Sequence, residues 1–357
     1  MKLVKHLSPI PPPYGGVTVH VLRLIKNLQK DGFQAGAYIK KGKTSSLKNL
    51  TVYRGFSKKF FIRSLYNLFN ETKNYKIIHT HNFFEDAIYL YIIKLFTNKK
   101  IVATIHNDRS VEIYHNQNFI FKFFIRKLIH MDIKIICVSM IAKKEFMRLF
   151  IDYKEIEIIP AYIPKIKESN NTNSLSKDLL DFTKSFNKII VFYASKYFVK
   201  EEDIYGVCEV LEMFYNIVKE NCQVGLVFCL SDLDSDINTI KDNAFKLGLF
   251  DKIFWQHGPI TNMNDLWEFT DVYVRPTKKD GDSLSVREAL EMNVSVVASD
   301  VAIRPEQVLV YKNKSIKDFS SKVIYKLNEN KQINKACSKQ NYYRILLKIY
   351  KDLINEI

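Results

Sequence analysis

RPTKKDGDSLSVREALEMNVSVVASD, residues 275–300, is the stretch whose reading decides the fold. Just before it, Asp271-Val-Tyr-Val274 is a short β-type run, which Pro276 stops. A polar loop follows, Lys278-Lys-Asp-Gly-Asp282, and Ser285 then opens a helical stretch. Val286, Ala289 and Leu290 stand at i, i+3 and i+4 of that stretch, and Asn293 ends it. Val294 to Ala298 is a continuous apolar run, as expected of a strand buried on both faces. Strand, loop, helix and strand make a βαβ unit, whose loop opens at the carboxyl edge of a parallel sheet, where open α/β sheets take their ligands. Two carboxylates, Asp280 on the loop and Glu288 in the first helical turn, are eight positions apart. The N–H groups and the positive end of the helix favour a phosphate between them. Carboxylates on either side suit sugar hydroxyls. The plainer alternative is that Ser285-Val-Arg-Glu288 is a capping box and Glu288 only ties down a helix start.

The stretch resembles the E-x7-E region of retaining glycosyltransferases with the GT-B fold, the large family 4 group. By that resemblance Asp280, standing where a Glu is usual, holds the transferred sugar, and Glu288 binds the nucleotide ribose. Ser283, Leu284 and Ser285 between them present backbone N–H groups to the diphosphate. Asp280-Gly-Asp282 also has the form of the Asp-x-Asp that holds a divalent metal in the other large glycosyltransferase fold. Its late position and the βα unit after it count against that reading.

The chain has 357 residues, enough for two domains that each bury a core. It has no run of eighteen apolar residues and no signal-like opening, so a cytoplasmic protein without a membrane span is expected. Five cysteines, at 137, 208, 222, 229 and 337, lie scattered without a C-x2-C pair and read as buried thiols. The net charge of +16 is uneven: residues 1–165 hold 28 Lys and Arg against 11 Asp and Glu, while the rest is close to neutral. A one-sided positive field points to an anionic partner for the first half.

That half begins with a candidate strand, Lys2 to Leu7, and a stiff loop ending in Gly15 and Gly16. An amphipathic helix from Thr18 to Lys30 follows. Glycines at a helix start let a phosphate or sugar approach the backbone, but this is not G-x-G-x-x-G, so a dinucleotide fold is not supported. PPPYGG-V-x-V-H resembles the first loop of the same glycosyltransferases, where paired glycines face donor phosphates and acceptor. Ile77-Ile-His-Thr-His81 and Ile101-Val-Ala-Thr-Ile-His106 are two more strands ending in His. His79 and His81 point to one face, as a metal pair would, but the sequence places no third ligand near them, so no metal is expected. Thr-Ile-His106 is similar to the family's Thr-x-His, whose His lies by the transferred sugar. Two basic, apolar stretches complete this half, one with Lys58, Lys59 and Arg63, the other (Phe119 to His130) with Lys122, Arg126 and Lys127. The second resembles a helix lying in a membrane interface; the alternative is a helix buried against the sheet.

Residues 164–187 carry little pattern until Leu179 and read as linker plus a short helix. A second α/β series starts at Ile189. The family's Gly-Arg-x4-Lys, which binds the diphosphate, is replaced by Ala194-Ser195, with Lys200 at the Lys spacing and Lys196 as a substitute cation. The expectation is therefore α/β with GT-B architecture: two Rossmann-like parallel-sheet domains facing a central cleft. Residues 1–165 form the acceptor- and membrane-facing domain, 166–187 a linker and 188–335 the nucleotide-sugar domain. Residues 336–357 form a helix crossing back to the first domain. The resemblance implies a retaining, metal-independent hexosyltransferase with a nucleotide-sugar donor and no cofactor. Its partners would be a glycan or lipid-linked acceptor and an anionic membrane surface, at the inner face of the membrane, and not nucleic acid. The competing reading is a degenerate GT-B chain that binds an anionic glycan or lipid and assists a partner enzyme without catalysis.

Overall fold

The computed structural model describes residues 2–11, 15–39, 51–52, 61–153, 155–163, 175–195, 197, 202–220, 223–233, 236–258, 260, 263–280, 282–329 and 342–355. The chain divides into two compact units, Met1–Lys167 with Gln340–Ile357, and Glu168–Lys339.

In the first unit the strands are β1 (Lys2–Leu7), β2 (Gln34–Ile39), β3 (Thr51–Val52), β4 (Ile77–Thr80), β5 (Lys100–Ile105), β6 (Ile133–Cys137) and β7 (Ile156–Ile158). They form one sheet in the order β3-β2-β1-β4-β5-β6-β7, and every pairing is parallel. Parallel neighbours need crossovers, and helices supply them, so both faces are covered and the strands are largely apolar until their carboxyl ends. One face packs Leu3, Val4, Ile77 and Val102 under the helices Gly16–Lys30 and Tyr342–Asn355. The other packs Ile78, Ile101 and Ile135 under the helices Phe83–Phe96 and Phe119–Ile129. The last helix thus belongs to the first unit; Tyr343 Oη donates to Asp31 Oδ2 at 2.6 Å, and Leu346, Ile349 and Tyr350 are buried.

The second unit repeats the plan with β8 (Lys188–Ala194), β9 (Val224–Leu230), β10 (Ile253–His257), β11 (Val272–Arg275), β12 (Ser295–Ser299) and β13 (Leu309–Tyr311). Their order is β10-β9-β8-β11-β12-β13, again all parallel. All seven residues of β9 are buried, which is why it reads as an unbroken apolar run. The helix Lys177–Lys184 lies inside the expected linker, yet Leu179 is part of this unit's core, so the unit begins before residue 188. Cys137 and Cys229 are buried thiols as expected, but Cys208 is exposed, on the solvent side of the first turn of helix Val207–Glu220.

In both sheets the winding reverses direction once, between β1 and β4 and between β8 and β11. Ligands of open α/β sheets bind in the crevice at the carboxyl ends of the strands beside such a reversal. Both candidate sites stand there.

Candidate functional site

In the second unit β11 ends on Arg275, whose buried guanidinium needs a counter-charge. Asp280 supplies it. Arg275 Nε and Nη2 donate to Asp280 Oδ2 and Oδ1, each at 3.3 Å. Arg304 Nη1 donates to Oδ2 at 2.7 Å and Thr277 Oγ1 to Oδ2 at 3.3 Å. Arg304 is itself fixed by donation to the Ser299 carbonyl at 3.1 Å. Burial alone would raise the Asp280 carboxyl; the two guanidiniums more than reverse that and hold it below its ordinary value. Among the described residues Oδ2 is thus crowded with three donors, while Oδ1 accepts a single one and keeps a lone pair. Arg275 and Arg304 are missed by the sequence reading, although an Arg closing an apolar strand is itself a sign of a buried counter-ion.

Gly206 lets a neighbouring loop reach this one. Its φ is +72°, and a Cβ there would come within 2.2 Å of the Pro276 carbonyl oxygen. Lys278 N donates to the Ile204 carbonyl at 2.8 Å across the same contact. The helix Leu284–Glu291 follows the loop with Ser283 as its N-cap, and the Ser283 side chain makes no capping bond. Ser285 is therefore inside the helix, its Oγ 2.7 Å from Tyr273 Oη and 3.1 Å from Ser283 Oγ. The capping box fails for that reason: Glu288 lies a full turn in, buried, too far along to close a helix start. The Asp-x-Asp alternative fails too, because Asp282 turns to Arg287, which donates from Nε at 2.6 Å, while Asp280 turns to Arg275 and Arg304. Lys196 and Lys200 lie outside the described residues.

In the first unit five of the chain's eight histidines gather at the carboxyl edge of the sheet. Side chains two apart on a strand share a face, so the apolar face of Val4, Ile77 and Val102 runs on as His6, as His79 and His81, and as Thr104 and His106. The first helix adds His20. His79 is saturated: Nδ1 is 2.6 Å from Tyr350 Oη and Nε2 is 2.8 Å from Thr104 Oγ1. His6, His81 and His106 form a line, with His6 Nδ1 3.1 Å from His81 Nε2 and His81 Nδ1 2.8 Å from His106 Nε2. Burial first pushes these rings below the ordinary histidine value, His6 to about 3 and His20 to about 4; neighbouring imidazoles add to it at His6, His79, His81 and His106, while at His20 the Ala161 carbonyl opposes it and Arg23 adds to it. All five are neutral at pH 7. His106 alone reaches the surface in part. The fold brings His6 beside His79 and His81 as a third nitrogen donor, and it brings His20 and His106 together beside His81.

Gly15 caps the first helix through Thr18 Oγ1, to which its N–H donates at 3.0 Å. Neither Gly15 nor Gly16 has a positive φ, and a Cβ on either would meet no heavy atom closer than 3.9 Å. The chain's own geometry does not require these glycines.

The helix Phe119–Ile129 is neither wholly buried nor wholly free. Ile125, Leu128 and Ile129 pack into the core, while Phe119 is 80% exposed and Phe123 53%. Lys122 Nζ donates to the His115 carbonyl and Arg126 Nε to Tyr114 Oη, both at 2.9 Å, and Lys127 lies over the Phe123 ring. Arg63 is exposed on the helix Phe61–Thr72 beside Ile62, which is 82% exposed; Lys58 and Lys59 lie outside the described residues. Among the described residues no helix is long and apolar enough to cross a membrane.

Two Rossmann-like units in one chain, each with its polar cluster at the carboxyl edge, make the GT-B fold of glycosyltransferases. The family model of Glycosyltransferase Family 4 matches residues 14–164, within the first unit. Three solved structures share the fold over nearly the whole chain. A glycosyltransferase from Rickettsia africae is 17% identical with a TM-score of 0.75, over 99% of this chain and 98% of that one. HepE of Anabaena, solved in complex with UDP-glucose, is 11% identical with a TM-score of 0.70, over 99% and 98%. WaaG, a glycosyltransferase involved in lipopolysaccharide biosynthesis, is 12% identical with a TM-score of 0.69, over 98% and 99%. No curated protein matches the sequence.

Proposed function

We propose that the chain is a retaining glycosyltransferase that moves a sugar from a nucleotide-sugar donor to a glycan or lipid-linked acceptor of cell-surface polysaccharide or glycolipid synthesis. One observation carries the reading. In a chain with the GT-B fold, Asp280 and Glu288 flank a helix start at the carboxyl edge of the second sheet, with Glu288 buried there and the Asp280 side chain only 9% exposed.

The roles follow from the chemistry. The diphosphate lies at the N-terminus of helix Leu284–Glu291, where backbone N–H groups and the helix dipole favour anions. Glu288 accepts from the ribose hydroxyls, and the remaining lone pair of Asp280 Oδ1 accepts from a sugar hydroxyl. Arg275 and Arg304 keep Asp280 ionised for that purpose. In the first unit Gly15, Gly16 and His106 serve the transferred sugar and the acceptor. The bond from the anomeric carbon to the phosphate oxygen breaks, with the electron pair leaving on phosphate. The acceptor oxygen bonds the same face, and its proton passes to the leaving phosphate. Lys196 and Lys200 offset the charge that develops there, so the diphosphate needs no metal.

Thermal-shift and binding titrations with UDP-, GDP- and ADP-sugars test this. Glu288→Gln should weaken the donor that binds by about tenfold or more, the scale of a lost charged hydrogen bond in a buried site. Unchanged binding with a lowered melting temperature would leave Glu288 a merely structural acid. The clamp on Asp280 also favours a second reading, a chain that binds its ligand without turning it over. Turnover of the bound donor by the purified chain excludes it.

The same proposal places the first unit at an anionic membrane surface, on the cytoplasmic side. Phe119 and Phe123 would enter the interface, with basic groups at the phosphates, and the excess charge of residues 1–165 adds attraction. Phe119→Ser with Phe123→Ser should cut attachment to phosphatidylserine vesicles by about tenfold or more. Equal attachment would remove the membrane from the account.

A further inference from the structure

The histidine row has a feature that sugar recognition does not use. His20 Nδ1 lies 2.5 Å from the Ala161 carbonyl oxygen, and a carbonyl only accepts. The proton is therefore on Nδ1 and the lone pair on Nε2. His20 Nε2 is buried and has no hydrogen-bond partner among the described residues. An imidazole whose Nδ1–H is fixed by a backbone carbonyl, and whose Nε2 lone pair is free, is the arrangement usual for a metal-ligating histidine. The nitrogens of His20, His81 and His106 converge within 4.8 Å of one another. His81 Nδ1 and His106 Nε2 are 2.8 Å apart, closer than two ligands of a tetrahedral zinc, so a small opening of this pair admits an ion. His6 then takes the outer position, its Nδ1 accepting from His81 Nε2–H at 3.1 Å. The other triad, His6 with His79 and His81, is weaker, because both nitrogens of His79 are already bonded.

We propose that His20, His81 and His106 form a binding site for one divalent transition-metal ion of the zinc and cobalt class. Three neutral imidazoles are borderline-soft nitrogen donors and select such ions over magnesium or calcium, which take oxygen. Three protein ligands also leave a fourth position for water or a hydroxyl oxygen, the pattern of open rather than structural zinc sites. His106, the partly exposed member, puts that position within reach of solvent. Its Nδ1 takes no part in the triad, so a sugar contact through that nitrogen is compatible with the metal. The ion is separate from the donor diphosphate, and the metal independence proposed above concerns the diphosphate alone.

The full chain, stripped with a chelator and dialysed, is titrated with cobalt(II), whose visible absorption reports tetrahedral nitrogen coordination, and then with zinc as competitor. One equivalent should bind and zinc should displace it. His20→Asn keeps an amide donor for the Ala161 carbonyl and removes the ligand nitrogen; it should keep the melting temperature and weaken cobalt by more than about 100-fold, beyond the effect of losing an outer-shell partner. His130→Asn, at an exposed histidine elsewhere, should leave the titration unchanged. A wild-type chain without the absorption band, or a His20→Asn affinity within about twofold of wild type, overturns the site. Neither measurement uses a nucleotide sugar, so this result and the glycosyltransferase assignment stand or fall apart.

Discussion

The two units place their polar clusters at the same topological address, the carboxyl edge beside the reversal of winding, and fill it with opposite chemistry. In the first unit the cluster is a row of neutral imidazoles, held together by hydrogen bonds between rings. In the second it is an Arg–Asp–Arg trio held by charge. The fold decides where a ligand can go; the last one or two residues of each strand decide what the place is made of. Val4 and Val274 are both buried core residues, and their strands part company at the carboxyl end, on His6 in one and Arg275 in the other.

The contrast predicts that acid attacks the two units in order. Above pH 6.5 the imidazoles are neutral whether the chain is folded or not. From about 6.5 down to the folded values of about 4 for His20 and about 3 for His6, the unfolded chain takes up protons that these buried rings refuse, so stability falls as pH falls. The slope is about 1.4 kcal/mol per pH unit for each such ring. Asp280, with its carboxyl held below 3.8 in the folded unit, begins to lose its contribution only once pH has fallen to about 4, after most of the histidine range has been crossed. Both tryptophans, Trp255 and Trp267, lie in the second unit, so their fluorescence follows that unit alone. In a metal-free acid titration, helical circular dichroism should fall before tryptophan fluorescence changes. Coincident transitions would break the comparison.

A smaller effect tests the charged side. Arg304→Met leaves buried Asp280 with one guanidinium fewer, and removing one partner of a buried pair costs about 3–5 kcal/mol. Denaturant unfolding followed by tryptophan fluorescence measures it, and the double variant with Asp280→Leu should recover most of the loss. The smallest change sharpens the border of the same site. Tyr273→Phe removes the hydroxyl 2.7 Å from Ser285 Oγ and should cost about 1 kcal/mol in the same assay, with donor binding kept.

Much of this was legible in the sequence because burial on both faces leaves a plain mark. Val224–Leu230 is seven apolar residues and seven buried ones, and the helix Val207–Glu220 shows its period just as openly. β2 does not, since Gln34-Ala-Gly-Ala carries small residues with little strand preference and is a strand because β1 lies beside it. The helix after Asp280 starts one residue earlier than its pattern suggests, and that single step removes the capping box. The histidine cluster was visible only as fragments. His6, His20, His79 with His81, and His106 stand in four separate motifs, and a strand-register relation such as His6 opposite His79 has no trace in linear spacing. Arg275 with Asp280 is the reverse case, only five residues apart and yet missed, because the burial of Arg275 is established only by the fold.

The last helix has a consequence for how the protein is made. Tyr350 packs in the core of the first unit and its hydroxyl meets His79, 271 positions earlier in the chain. A nascent first unit therefore leaves the ribosome with the apolar patch under helix Tyr342–Asn355 bare, and keeps it bare while the whole second unit is synthesised. Chaperone demand should peak in that interval and end when the helix Tyr342–Asn355 emerges.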